Sequence, residues 1–310
     1  MSGSSQSFFD CDQYSLDEIQ SLFSLAKQLR DVDFDVSRMP FNPESLRGKT
    51  AVLTFFEPST RTRLSFQMAA YHLQMNVLSF AGESSSLSKG ESELDTIRNL
   101  DALGPALLVL RCNDDFDQMR ASYEVNAPVL NAGWGQRSHP TQALLDAFTM
   151  QDVLGDLNGK RVLFIGDIKH SRVARSNIAL LQRLGVQVMT CAPEDYQLEA
   201  DGVEAVASLD QAIPQADAIV ALRVQNERHS EAEGFSVESF QKDYRLSSDR
   251  LTGMKPNAII MHPGPINHGV EMTEDVLRHP RCMVLNQVKN GVAIRAALIV
   301  KVLLSTEGSP

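Results

Sequence analysis

Thr50-Ala-Val-Leu-Thr-Phe-Phe-Glu-Pro-Ser-Thr-Arg-Thr-Arg63 opens as an unbroken apolar run and closes as a turn rich in hydroxyls and guanidinium groups. A strand with one wet face alternates apolar and polar residues, whereas a continuous run marks a strand covered on both faces. Glu57-Pro58 ends the strand, and residues from Thr60 to Gln74 read as a helix. A buried strand passing straight into a helix is the repeating unit of a parallel α/β sheet.

The same alternation extends in both directions. Upstream, Ser15-Leu16-Asp17-Glu18 is a capping box for a helix through about Arg30, with Leu16, Ile19, Leu22, Phe23, Ala26 and Leu29 on one face. Downstream, Asn76 to Phe80, Ala106 to Arg111 and Val129 to Ala132 read as strands, and Glu91 to Leu103 and Thr141 to Leu154 as helices. Gly155 to Lys160 reads as a short hinge. A second series follows, with strands at Arg161–Gly166, Val186–Cys191, Ala218–Arg223 and Ala258–His262 and a helix at Arg172–Leu184. The expected fold is α/β, with two doubly wound parallel-sheet domains, 1–150 and 151–286. The apolar last helix, about 287–310, is expected to pack back on the first domain and complete it. A chain of 310 residues exceeds what one core usually fills, which agrees with two domains.

Composition narrows the function. A net charge of −10 argues against a nucleic-acid partner, because backbone phosphates call for a basic face. No run approaches the roughly 20 apolar residues of a membrane span. The opening MSGSSQSFFD lacks the basic and apolar regions of a secretory signal. Cys11, Cys112, Cys191 and Cys282 lie far apart, suggesting neither a disulfide framework nor a metal site and fitting a cytoplasmic location.

Anions can still bind an acidic chain where cations converge. Helix N-terminal amides and the helix dipole favour an anion beside Ser59, Thr60 and Thr62, and Arg61 adds a phosphate-matching fork. Ordinary Ser/Thr capping with exposed arginines is the plain alternative. Arg111 closes the run Ala106-Leu-Leu-Val-Leu-Arg111, and His139 precedes Pro140 at a helix start. Ile168 to Arg172 follows a strand and opens a helix, while Arg223-Val224-Gln225 ends another strand. Both suit carboxylates, as they also suit structural ion pairs. Residues 82–90 form a small polar loop. The unit Arg161 to Asn177 has one glycine, Gly166, where a dinucleotide fingerprint needs three, and no Walker-A sequence exists, so nucleotide binding is rejected.

The stretch Ser59-Thr-Arg-Thr-Arg63 resembles the carbamoyl-phosphate signature of the aspartate and ornithine carbamoyltransferases. The resemblance continues in order through Ser85…Lys89-Gly90-Glu91, Arg111, His139-Pro140-Thr141-Gln142, Arg172, Arg223-Val224-Gln225 and His262-Pro263-Gly264-Pro265. It implies that Ser59, Thr60, Arg61, Thr62 and Arg111 hold the phosphate, and that Thr62, Arg111 and His139 stabilise the carbamoyl oxygen. Gln142 and the carbonyls of Pro263 and Gly264 then hold the carbamoyl NH2. Arg172, Arg223 and Gln225 hold the acceptor. It further implies a homotrimer in which Lys89 and one serine, aligned best at Ser85 though Ser84 and Ser86 stay open, reach a neighbouring subunit's site. Partner chains of regulatory or dihydroorotase type are compatible with it, and no cofactor or metal is implied. Arg-Val-Gln and His-Pro-Gly-Pro stand where an ornithine-specific relative is expected to carry an acidic D-x-x-x-S-M-G motif and H-C-L-P. The implied reaction is therefore carbamoyl transfer from carbamoyl phosphate to L-aspartate, a step of pyrimidine biosynthesis. The alternatives are another amino-acid acceptor or a catalytically silent structural homologue. Trp134 and His268 depart from the family pattern, where an aspartate and an arginine are common.

Overall fold

The computed structural model describes residues 7–81, 91–224 and 236–304, which divide into two compact units. The first comprises residues up to Leu145 together with those from Val288 onward, and the second runs from Asp146 to Gln287.

In the first unit, helix α1 (Leu16–Asp31) starts at Ser15, whose hydroxyl accepts from Glu18 N while the Glu18 carboxylate accepts from Ser15 N. Its buried face is Ile19, Leu22, Phe23, Ala26 and Leu29, while Leu16 is exposed. Then follow β1 (Thr50–Phe55), α2 (Thr60–His72), β2 (Asn76–Ala81), α3 (Glu93–Asp101), β3 (Leu107–Cys112), α4 (Gln118–Ser122), β4 (Val129–Trp134) and α5 (Pro140–Leu154), whose residues from Asp146 onward belong to the second unit. The four strands are parallel in the order β2-β1-β3-β4. The residues of β1 beyond Thr50, and those of β3 and β4 apart from Arg111, are buried, as an uninterrupted Val and Leu pattern requires, whereas the edge strand β2 is partly exposed.

The second unit contains β5 (Arg161–Ile165), α6 (Arg172–Arg183), β6 (Gln187–Cys191), β7 (Val203–Ala205), α7 (Leu209–Ala212), β8 (Ala218–Ala221), α8 (Val237–Tyr244), α9 (Ser248–Leu251), β9 (Ile259–Met261) and α10 (Glu274–Leu277). Its strands are also all parallel, in the order β7-β6-β5-β8-β9. The last helix, α11 (Val284–Leu304), returns to the first unit. Arg30 donates to Asn290 Oδ1 at 2.9 Å, and Lys301 reaches Glu18 at 2.9 Å.

Strand β8 ends at Ala221, so Arg223 lies beyond it rather than closing it. Leu222 N still donates to Ile165 O at 2.8 Å, after which the chain leaves the sheet. Strand β7 is a three-residue edge, exposed at Glu204 and Ala205, and carries no apolar run by which to be read.

A buried carboxylate organises the entry to β4. Asp101, at the end of α3, accepts from Asn126 N, Asn126 Nδ2 and Ala127 N at 2.9–3.0 Å. A carboxylate at a helix C-terminus opposes the dipole, so these bonds must repay its placement. Replacing Asp101 with Ala strands the buried Ala127 amide and the half-buried Asn126 amides, and is expected to cost about 1–3 kcal/mol in chemical denaturation.

Candidate anion sites at the sheet edges

In a doubly wound sheet, ligands bind beyond the strand carboxyl ends, where neighbouring strands send their connections to opposite faces. The order β2-β1-β3-β4 puts that point between β1 and β3. There Phe55 pairs with Arg111, and Phe56 N donates to Arg111 O at 2.8 Å. Chain leaving β1 enters α2 through Ser59, whose backbone is extended (φ −161°) and whose hydroxyl makes no capping bond. The first amides of a 13-residue helix and the hydroxyls of Ser59 and Thr60 therefore stand at the same sheet edge as Arg111.

Arg111 is largely buried, with Nη1 3.5 Å from Ala132 O and Nε 3.4 Å from Glu57 Oε2. Arg61 is exposed on the first turn of α2, and the adjacent Thr62 is buried. Thr62 Oγ1 lies 3.5 Å from His139 Nε2, joining the first turn of α2 to the first turn of α5. His139 itself is buried, and its carbonyl accepts from Gln142 N and Ala143 N. Gln142, buried one turn into α5, completes the group. Thus Ser59, Thr60, Arg61, Thr62, Arg111, His139 and Gln142 occupy adjoining element ends within one unit.

Trp134 is buried where β4 ends, its Nε1 has no hydrogen-bond partner among the described residues, and the Arg137 guanidinium lies 4.7 Å over its ring. The indole face thus gives the Arg137 guanidinium a neighbour.

The second sheet's switch point lies between β5 and β8. Gly166 leaves β5 at φ +112°, and a Cβ there would fall 2.7 Å from Leu222 O. This single glycine serves close passage of two strand exits, not a pyrophosphate. Ser171 caps α6 through Ala174 N, placing Arg172 at N1. The preceding turn is fixed by buried Asp167, whose Oδ1 lies 2.8 Å from His170 Nδ1. Arg223 leaves at the same edge of the sheet, from the neighbouring strand.

Buried Glu271 ties the β8 exit to the segment after β9. Its Oε1 accepts from Val224 N (2.9 Å) and Asn267 Nδ2 (2.8 Å), and its Oε2 from Asn267 N (2.8 Å). Asn267 Nδ2 also donates to Val224 O at 2.9 Å. Pro263 and Gly264 begin that segment, with Gly264 N donating to His262 Nδ1 at 2.8 Å. His268 lies 3.3 Å from Glu274 and stays exposed. Ser85, Lys89 and Gln225 fall outside the described residues. Sequence reading missed Glu57 and Glu271, because a glutamate's role here depends on which amide or guanidinium the fold brings to it.

Comparison with known proteins gives a consistent family. Residues 6–152 match the carbamoyl-P binding domain of the aspartate/ornithine carbamoyltransferases, and residues 158–302 match their Asp/Orn binding domain. The aspartate carbamoyltransferase catalytic subunit of Myxococcus xanthus is 44% identical over 289 residues, covering 91% of this chain and 94% of that one. That of Thermus thermophilus is 41% identical over 300 residues, covering 96% and 98%. Among solved structures, the catalytic subunit of M. jannaschii aspartate transcarbamoylase superposes with a TM-score of 0.86 at 29% identity, covering 98% of this chain and 100% of that one. The Trypanosoma cruzi enzyme in complex with N-(phosphonacetyl)-L-aspartic acid gives 0.84 at 31%, covering 96% and 95%.

Burial raises the Glu271 carboxyl above the ordinary glutamate range, against the opposing pull of the Val224 and Asn267 donors. With the folded value above the unfolded one, the group's contribution favours folding most below its unfolded value and is lost as pH rises through its folded value. The stability of the natural protein relative to Glu271→Gln is thus expected to be greater at about pH 4 than at about pH 7 in paired denaturant titrations. An equal difference at both would contradict the assignment.

Proposed function

The chain belongs to the aspartate/ornithine carbamoyltransferase family, and from that premise we infer that it transfers the carbamoyl group of carbamoyl phosphate to the α-amine of L-aspartate, releasing phosphate. One observation carries the chemistry: the open first turn of α2, the Arg111 guanidinium and His139 all gather at the β1–β3 switch point.

In the first unit, the α2 amides and hydroxyls of Ser59, Thr60 and Thr62, with Arg61 and Arg111, bind the phosphate. Arg111, Thr62 and His139 face the carbamoyl oxygen, which gains charge as the neutral amine adds to the carbonyl carbon. Such donors are typically worth about 3–4 kcal/mol each. Gln142 and the carbonyls of Pro263 and Gly264 hold the carbamoyl NH2. The tetrahedral intermediate then breaks its C–O bond to phosphate, and the departing phosphate accepts the amine proton. Residues 1–150 with the last helix, about 287–310, serve carbamoyl phosphate, and 151–286 serve the acceptor.

Arg172 at the α6 N-terminus binds the aspartate α-carboxylate, and Arg223 with Gln225 binds the side-chain carboxylate. Cationic forks at a sheet edge favour a dicarboxylate and disfavour the ammonium side chain of ornithine. Ureido-product assays are the direct test. Aspartate is expected as the preferred acceptor, and Arg223→Met is expected to reduce kcat/KM for aspartate by about 100-fold or more. Preference for ornithine would reject this assignment.

The active form is a homotrimer in which Ser85 and Lys89 of one subunit complete the neighbour's site. Support comes from α2, where Leu64 (50% exposed), Met68 (45%) and Tyr71 (72%) make an apolar stripe beside the edge strand β2 that leads into residues 82–90. Further partner chains, of regulatory or dihydroorotase type, remain compatible with this trimer. A cytoplasmic setting is supported by four free cysteines. Mixing and reassembling inactive Arg61→Met and Lys89→Ala proteins is expected to restore activity, because hybrid sites then contain neither lesion. A mixture as inactive as its components would count against shared sites.

A further inference from the structure

Arg295 is the single charged residue between Gly291 and Val300 on α11, and it is buried. Burying a guanidinium costs several kcal/mol in desolvation, so a leucine or methionine would serve packing alone better. Its hydrogen bonds show a different use. Nη1 donates to Ser65 Oγ at 2.8 Å and Nη2 to Thr141 Oγ1 at 3.3 Å, while Cζ lies 5.2 Å over the Phe66 ring. Ser65 is one turn past Thr62 on α2, and Thr141 is two residues past His139 on α5. One planar fork therefore spans the two helices whose first turns meet at the 3.5 Å Thr62–His139 contact. Space for it comes from Gly291, where a Cβ would lie 2.7 Å from Arg295 Nη1 and 3.2 Å from Leu145 Cδ2.

We propose that Arg295 is a positioning residue for carbamoyl transfer, its guanidinium setting α2 against α5 and thereby holding His139 where the carbamoyl oxygen develops charge. This rests on the reading of the first-unit site given above. Phosphate binding draws mainly on the α2 amides, Arg61 and Arg111, so the loss falls on the chemical step. A misplacement of about 1 Å can cost on the order of 100-fold in rate.

The test uses the full-length protein, with kcat expressed per site titrated by N-(phosphonacetyl)-L-aspartate and with thermal unfolding measured in parallel. Arg295→Gln is expected to lower kcat by about 30–100-fold while KM for carbamoyl phosphate moves less than about threefold. Arg295→Lys, which keeps a donor but not the fork, is expected to recover part of the loss. Gly291→Ala leaves Ser65, Thr141 and Arg295 in place but displaces Nη1, and is expected to lower kcat in the same direction. It decides the matter by itself if Arg295→Gln does not fold. A lower melting temperature with kcat per site within about twofold of the natural protein would overturn the proposal. Arg111→Gln is run beside these variants. Natural activity in Arg111→Gln would reject the site reading itself, separately from any result at Arg295.

Discussion

Parallel pairing of β1 with β3, and of β5 with β8, is the constraint on which the chemistry depends. Each sheet changes winding direction between those strands, so backbone amides, hydroxyls and guanidinium groups gather at the carboxyl edge of each sheet. Net charge makes this concentration necessary. An acidic chain repels anionic substrates at long range, and only a local excess of donors reverses the sign. Arg61 and Arg111 stand at the edge of one sheet, and Arg172 and Arg223 at the edge of the other.

Holding those cations still is a separate task, assigned to groups that need not touch substrate. Glu57 and the Ala132 carbonyl fix Arg111. Asp167 and Ser171 fix the turn before Arg172. Glu271 and Asn267 hold both backbone polar groups of Val224, the residue after Arg223. Arg295 extends the same logic to the helices bearing Thr62 and His139. Each of these groups is buried or half-buried, where a hydrogen bond to a charge is strong and its loss is costly.

Much of this was legible in the chain. The uninterrupted run Thr50–Phe56 announced a strand covered on both faces, and Ser15 with Glu18 announced a helix start that the structure reproduces bond for bond. Arg111 was readable because a charge ends an apolar run. Arg223 lies two residues past the end of β8 and does not close it; sequence shows the apolar stretch Ala218–Leu222 but not where ladder pairing stops. Short elements such as β7 and α7 carry too few residues for periodicity to register. Glu57, Glu271 and Arg295 were not found. The first two lie in turns where glutamate is ordinary; the third left a signal, a lone charge within Gly291–Val300, whose meaning needed Ser65 and Thr141 from distant parts of the chain.

A crystal structure of the full-length protein with N-(phosphonacetyl)-L-aspartate tests the central claim most directly. The phosphonate is expected on the α2 amides with Arg61 and Arg111, the ligand's carbonyl oxygen within hydrogen-bonding distance of His139, and its two carboxylates on Arg172 and Arg223. A well-ordered ligand bound away from Arg61 and Arg111, or one whose carboxylates ignore Arg172 and Arg223, would contradict it.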